Sequence, residues 1–213
     1  YTFLHTLSLH DALPIYARDA IDKIRNEGGF LGYESYTEEL LEIFNIFLKY
    51  HDDYCEKIWP GEERRLAKVA REWQTKLDEE RLDEKAEKLV GIGSETIFCA
   101  SLIGSIEHGV EAILYETGDG NIYDLFSIDR DYNSARAMLL HEYIITLLGK
   151  RIPFSIETYD RYEGLAEYYT EELIGRTYNF ICMEKYIEFY RMKMSEKSYT
   201  PEELFELSGN MDK

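Results

Sequence analysis

The stretch LLHEYIITLLGKRIPFSIETYDRYEGLAEYYTEEL constrains this chain more than any other. His141 and Glu142 stand inside an apolar helical run that ends near Gly149. An imidazole and a carboxylate in the middle of such a run cost desolvation unless something satisfies them. One loop later Glu163 and Glu167 follow, four residues apart and therefore on one face of a second helix.

The rest of the chain divides by pattern. In YARDAIDKIRNEGG, the residues Ala17, Ala20, Ile21 and Ile24 share a helical face that Gly28 and Gly29 end. The next segment has cap candidates in Ser35 and Thr37 and a stripe of Leu40, Leu41, Phe44, Phe47 and Leu48, stopped by Pro60-Gly61. A long charged helix follows, with one seam at Leu66, Val69, Trp73 and Leu77, resumed at Leu82, Ala86 and Leu89 after a phase slip. From Gly91 the character changes. ETIFCASLI, GVEAILYE and NIYDLFSI are short and β-rich, and the last two flank a hairpin turn at Thr117–Gly120. Helical signals return over 133–149, 160–175 and 178–195.

The formal charge of −18 sets this chain against phosphate backbones, so nucleic acid is not an expected partner. No apolar run approaches the roughly 18 residues of a spanning helix. Cys55, Cys99 and Cys182 are odd in number, far apart and without a CxxC pair, which suggests reduced thiols and favours a cytoplasmic setting.

Residues 1–15 stand apart. They have no starting Met and no apolar period, and Pro14 interrupts their only apolar cluster. The sequencing-adapter oligonucleotide ending ACT CTT TCC CTA CAC GAC GCT CTT CCG ATC T translates as TLSLHDALPI, which is residues 6–15. The segment therefore resembles a translated adapter, and His5, His10 and Asp11 are set aside from any site. On this reading the true N-terminus is missing and a preceding signal or anchor would leave no trace.

The His141-Glu142 helix and the Glu163-Gly-Leu-Ala-Glu167-Tyr helix together resemble the gluzincin group of zinc metallopeptidases. There an HExxH helix and a following EGxxEY helix build the site, and the 22 residues from His141 to Glu163 suit that arrangement. The resemblance covers roughly residues 95–210. It implies an α+β fold: a helical N-terminal half packed on a zincin-like domain with a small antiparallel sheet and active-site helices. The expected divisions are 1–15 (adapter), 16–91 (helical) and 92–213 (zincin-like). By the same resemblance, His141 and Glu163 are metal ligands for zinc, and Glu142 is the general base polarising a metal-bound water. Glu167 would hold the His141 imidazole in its binding tautomer. Tyr162 or Tyr168 would assist an oxyanion.

One position departs from the pattern. The second histidine belongs four residues after His141, where this chain has Ile145. An isoleucine donates no lone pair, which leaves two protein ligands where a catalytic zinc has three. His108 could substitute from a neighbouring element, although a turn histidine is its simpler reading; His51 is further removed. Three functions follow for a peptide or protein substrate or partner. The first is a metallopeptidase-like protein, weakly active or inactive because its motif is HExxI. The second is a non-catalytic binding or regulatory module, a pseudoenzyme. The third is a structural helical interaction protein. If the first 15 residues are foreign, deleting them leaves the melting temperature unchanged, and a loss of several degrees would show that they belong to the fold.

Overall fold

The computed structural model describes residues 4–5, 37–93, 98–103, 114–116, 122–127, 131–178 and 183–211. By its internal contacts the chain divides into two compact units, Thr6–Lys68, and Tyr1–His5 with Val69–Lys213.

In the first unit, helix α1 (Thr37–Lys57) opens with Glu38 and Glu39 and closes with Lys57, charges that complement the helix dipole at each end. Leu41, Phe44 and Leu48 of the expected stripe are half-buried, while the side chains of Leu40 and Phe47 lie outside the described residues. Ile43, Ile46, Tyr50 and Tyr54 of this helix, and Ile58 just after it, are exposed. Helix α2 (Trp59–Glu80) begins here and runs across the boundary.

In the second unit, Ala70, Trp73 and Leu77 of α2 are buried at spacings of three and four, as one helical face requires. Continuing that face would bury Glu80 or Arg81. Instead Arg81 takes a left-handed conformation (φ 50°, ψ 48°) and α3 (Leu82–Val90) restarts with a new phase. Leu82, Ala86 and Val90 are buried, whereas Leu89 is exposed, so the resumed seam ends one residue later than the pattern predicts. Glu80 is held at the break by the Tyr132 hydroxyl (2.9 Å) and the Arg136 guanidinium (2.7 Å).

Helix α4 (Tyr132–Leu148) is the centre of this unit. Asp131 caps it, accepting from the backbone N–H groups of Asn133 and Ser134. It is apolar on nearly every side, as a helix covered all round must be, and it packs on α3 and on α5 (Tyr159–Ile174). Both helices fall within one residue of their expected spans. A 3₁₀ turn at Ile156–Thr158 leads into α5, and Gly175 ends it in the left-handed region (φ 71°). Helix α6 (Glu184–Glu196) and helix α7 (Pro201–Ser208), the latter capped by a Thr200–Glu203 box, pack against α5.

The expected α+β class is overturned. The residues whose side chains are described are 81% helical and include no strand, so the protein is mostly helical. The backbone alone traces short strands at Leu4–His5 (β1), Phe98–Ile103 (β2), Leu114–Glu116 (β3) and Ile122–Ser127 (β4). Their order is β1-β2-β4-β3, and β2 pairs β4 in parallel, with only β3–β4 antiparallel. The small antiparallel sheet is therefore also corrected. The physical reason lies in the amounts: the strands are only two to six residues long, and among the described side chains the buried apolar ones lie almost entirely on helices. The expected Thr117–Gly120 turn, His108 and the expected helix over 16–29 lie outside the described residues.

The glycine of EGLAEY has a steric explanation. A Cβ on Gly164 would lie 2.6 Å from Tyr186 Cβ on α6, so only glycine lets α5 and α6 approach this closely. Gly164→Ala gains helix propensity of up to about 1 kcal/mol but overpacks by about 1–3 kcal/mol. A net loss of about 1–2 kcal/mol is expected, read as a lower urea midpoint; an unchanged midpoint would mean that Tyr186 yields without strain.

Candidate functional site

His141 lies at mid-length on α4, where an apolar helix delivers it into the interior. Its side chain is 3% exposed. Glu163 and Glu167, one turn apart on α5, meet it from the other side. His141 Nε2 lies 3.0 Å from Glu163 Oε2, a hydrogen bond, and Nδ1 lies 3.4 Å from Glu167 Oε1. The second contact is an ion-pair separation without hydrogen-bond alignment, so Glu167 acts on the ring mainly through its charge. Glu167 is itself buried, and its Oε2 accepts the backbone N–H of Tyr178 at 2.8 Å. The Tyr178 ring covers the imidazole at 5.6 Å between centroids.

The electrostatics follow from this enclosure. Burial alone would lower the His141 pKa. The Glu163 hydrogen bond and the charges of Glu167, Glu142 and Glu163 outweigh it and hold the imidazole above its ordinary value. Glu142 is held above the usual carboxylate range, first by burial; the His141 charge opposes this, and Glu163 and Glu167 add to it.

The structure thus brings His141, Glu163 and Glu167 together, with Glu142 electrostatically coupled to all three. It gives the two candidate tyrosines other work. The Tyr162 hydroxyl donates to the Ile145 carbonyl at 3.0 Å. Tyr168 packs on Tyr169 and Tyr190, and burial pushes its hydroxyl up to about 12. Tyr178 was not foreseen. A buried carboxylate two turns from a helix end needs a donor, and the first free N–H groups beyond Gly175 are the place to seek one.

The donor set decides what the site can hold. Two ligands each about 2.1 Å from a tetrahedral zinc stand about 3.4 Å apart. Here the two candidate donors already touch at 3.0 Å. Ile145, on α4 at the place of the second histidine, is half-buried and donates nothing. Among the described residues no set of three or more His, Cys, Asp or Glu side chains is arranged to hold a metal. Two ligands do not make a catalytic zinc centre. What the arrangement can do is bind one proton tightly between an imidazole and its carboxylates.

No family model matches this chain, and no curated protein or solved structure is similar to it.

A pH dependence follows with a definite sign. His141 is raised in the folded state, so its contribution is complete below the unfolded value of about 6.5 and is lost as pH rises through the folded value. Glu142, also raised, adds in the same direction, because ionising it penalises the folded state above about pH 4.5. Stability should fall as pH rises above about 6.5, and fall less in His141→Gln. Equal slopes in chemical denaturation of the two proteins would refute the assignment.

Proposed function

We propose that this chain is a metallopeptidase-like protein that does not hydrolyse peptides, with its His141–carboxylate cluster acting as an internal clamp in a binding or regulatory module. The observation that carries the reading is the direct contact of His141 Nε2 with Glu163 Oε2 at 3.0 Å, with isoleucine at position 145. The nitrogen and the oxygen that would bind zinc satisfy each other, and the position of a third ligand is apolar. The exposed Ile43, Ile46, Tyr50, Tyr54 and Ile58 are consistent with a peptide or protein partner. The strongly acidic charge disfavours nucleic acid. Among the described residues no helix is long and apolar enough to cross a membrane.

One observation favours a second reading, a weakly active zinc peptidase. Glu142 is a carboxylate with a raised pKa, which suits a general base working near neutral pH. Metal content and peptide hydrolysis of the full chain, with and without added zinc, separate the two. The clamp reading expects less than one equivalent of zinc and no hydrolysis. Ile145→His should then raise zinc affinity by about two orders of magnitude by supplying a third ligand. Stoichiometric zinc in the unaltered protein, with hydrolysis that Glu142→Gln abolishes, would establish the peptidase instead.

A further inference from the structure

Helix α1 carries a second group of reactive side chains that the clamp does not involve. Cys55 carries a thiol, and its Sγ lies 3.4 Å from His51 Nε2. The other ring nitrogen, Nδ1, lies 3.0 Å from Asp52 Oδ1. The i, i+4 spacing sets thiol and imidazole on one face of the helix. Asp52 accepts the Nδ1 proton, which turns the Nε2 lone pair toward the thiol. Nucleophile, base and orienting carboxylate thus stand in order. The His51 side chain is 20% exposed and Cys55 is half-buried, so the pair is not sealed in the interior.

We propose that Cys55 is a nucleophilic thiol served by His51 and Asp52, and that it forms mixed disulfides with small neutral or cationic disulfides. His51 Nε2 takes the thiol proton. The thiolate attacks one sulfur of the reagent, its S–S bond breaks, and a new S–S bond forms to Cys55. The departing thiolate recovers the proton from the imidazolium. Cys55 is oxidised, half of the reagent is reduced, and no further oxidant is needed.

The charge preference comes from the surroundings. Asp52, Asp53 and Glu56 flank the thiol in sequence, and Lys57, the nearest cation on this helix, is bound to Asp53 at 2.6 Å. From α2, Glu62 acts on the adjacent Tyr54 hydroxyl and is paired with Arg65 at 2.7 Å. An anionic disulfide meets repulsion here and a cationic one does not.

The test uses the full chain with cystamine and with oxidised glutathione, following the Cys55 peptide by mass spectrometry so that Cys99 and Cys182 are counted apart. A neighbouring base raises the fraction of attacking thiolate at pH 7 and lowers its intrinsic nucleophilicity, a net gain of about threefold. His51→Gln should therefore slow the cystamine reaction about threefold at pH 7 and match or exceed the unaltered protein at pH 9.5. Asp52→Asn, at an exposed position, should fall between them. The preference for cystamine over oxidised glutathione should shrink in 0.5 M salt. A His51→Gln rate at pH 7 equal to or above the parent would remove His51 as the base. A preference indifferent to salt would remove the charge selection.

Discussion

The second unit is organised around one buried imidazole. His141 belongs to α4 and both of its carboxylate neighbours to α5, so the 3.0 Å contact fixes the relative depth and rotation of the two helices. Taking an ion out of water costs several kcal/mol, and removing one partner of a buried pair typically costs about 3–5 kcal/mol. Other contacts radiate from it. Glu167 reaches beyond the α5 terminus to the Tyr178 N–H, which ties down the chain after Gly175. On the next turn, Gly164 brings α6 against the same helix, and the Tyr190 hydroxyl bonds the Arg161 carbonyl (3.0 Å) and Ser208 Oγ (2.9 Å).

The cluster is asymmetric in charge, with three carboxylates around one imidazole. A protonated His141 balances one of them. The remaining excess is relieved in two ways: the Tyr178 N–H donates to Glu167, and Glu142 is disposed toward its neutral form. The raised Glu142 pKa therefore has a structural origin that requires no substrate. The same shift would serve a general base, which is why the pKa alone does not separate the two functional readings and the donor count must.

Much of this region was legible in the sequence, for identifiable reasons. Helix α4 was marked by its apolar run ending near Gly149 and α5 by the paired glutamates of EGLAEY, whereas the Asp131 cap emerges only from the structure. That His141 needed a partner was legible because polar groups buried in an apolar helix must be satisfied, while the choice of Glu163 and Glu167 came from the resemblance to the HExxH…EGxxEY pattern. The fold class was not, because short β-rich runs say nothing about how much of the core they will carry. The phase slip after Leu77 was legible from the apolar spacing, but not that Arg81 makes it in a left-handed conformation that favours glycine, nor that the resumed seam ends at Val90. Tyr178 contributes a backbone N–H, which every residue except proline possesses, so its identity gave no warning.

Carboxylates beside an imidazole, with isoleucine four residues further on, pose a puzzle if the only use of such a cluster is to bind metal. Buried acidic groups without a ligand are costly and would be expected to give way to apolar ones. The packing around position 145 resolves it. The Ile145 carbonyl accepts from Tyr162, whose ring is met edge-on by Phe154 at 5.6 Å and Phe205 at 6.2 Å. This end of α4 is an aromatic corner, whereas a catalytic zinc keeps an open coordination position. One turn away the polar groups depend on one another: burial of the His141 imidazole is offset by Glu163 and Glu167, and the buried Glu167 carboxylate is offset by the His141 charge and the Tyr178 N–H. Losing any one would leave the rest uncompensated, at a cost larger than the cluster's own net contribution. Mutual dependence of this kind gives His141, Glu163 and Glu167 a structural use of their own, and isoleucine at position 145 is compatible with it because none of these contacts involves that side chain.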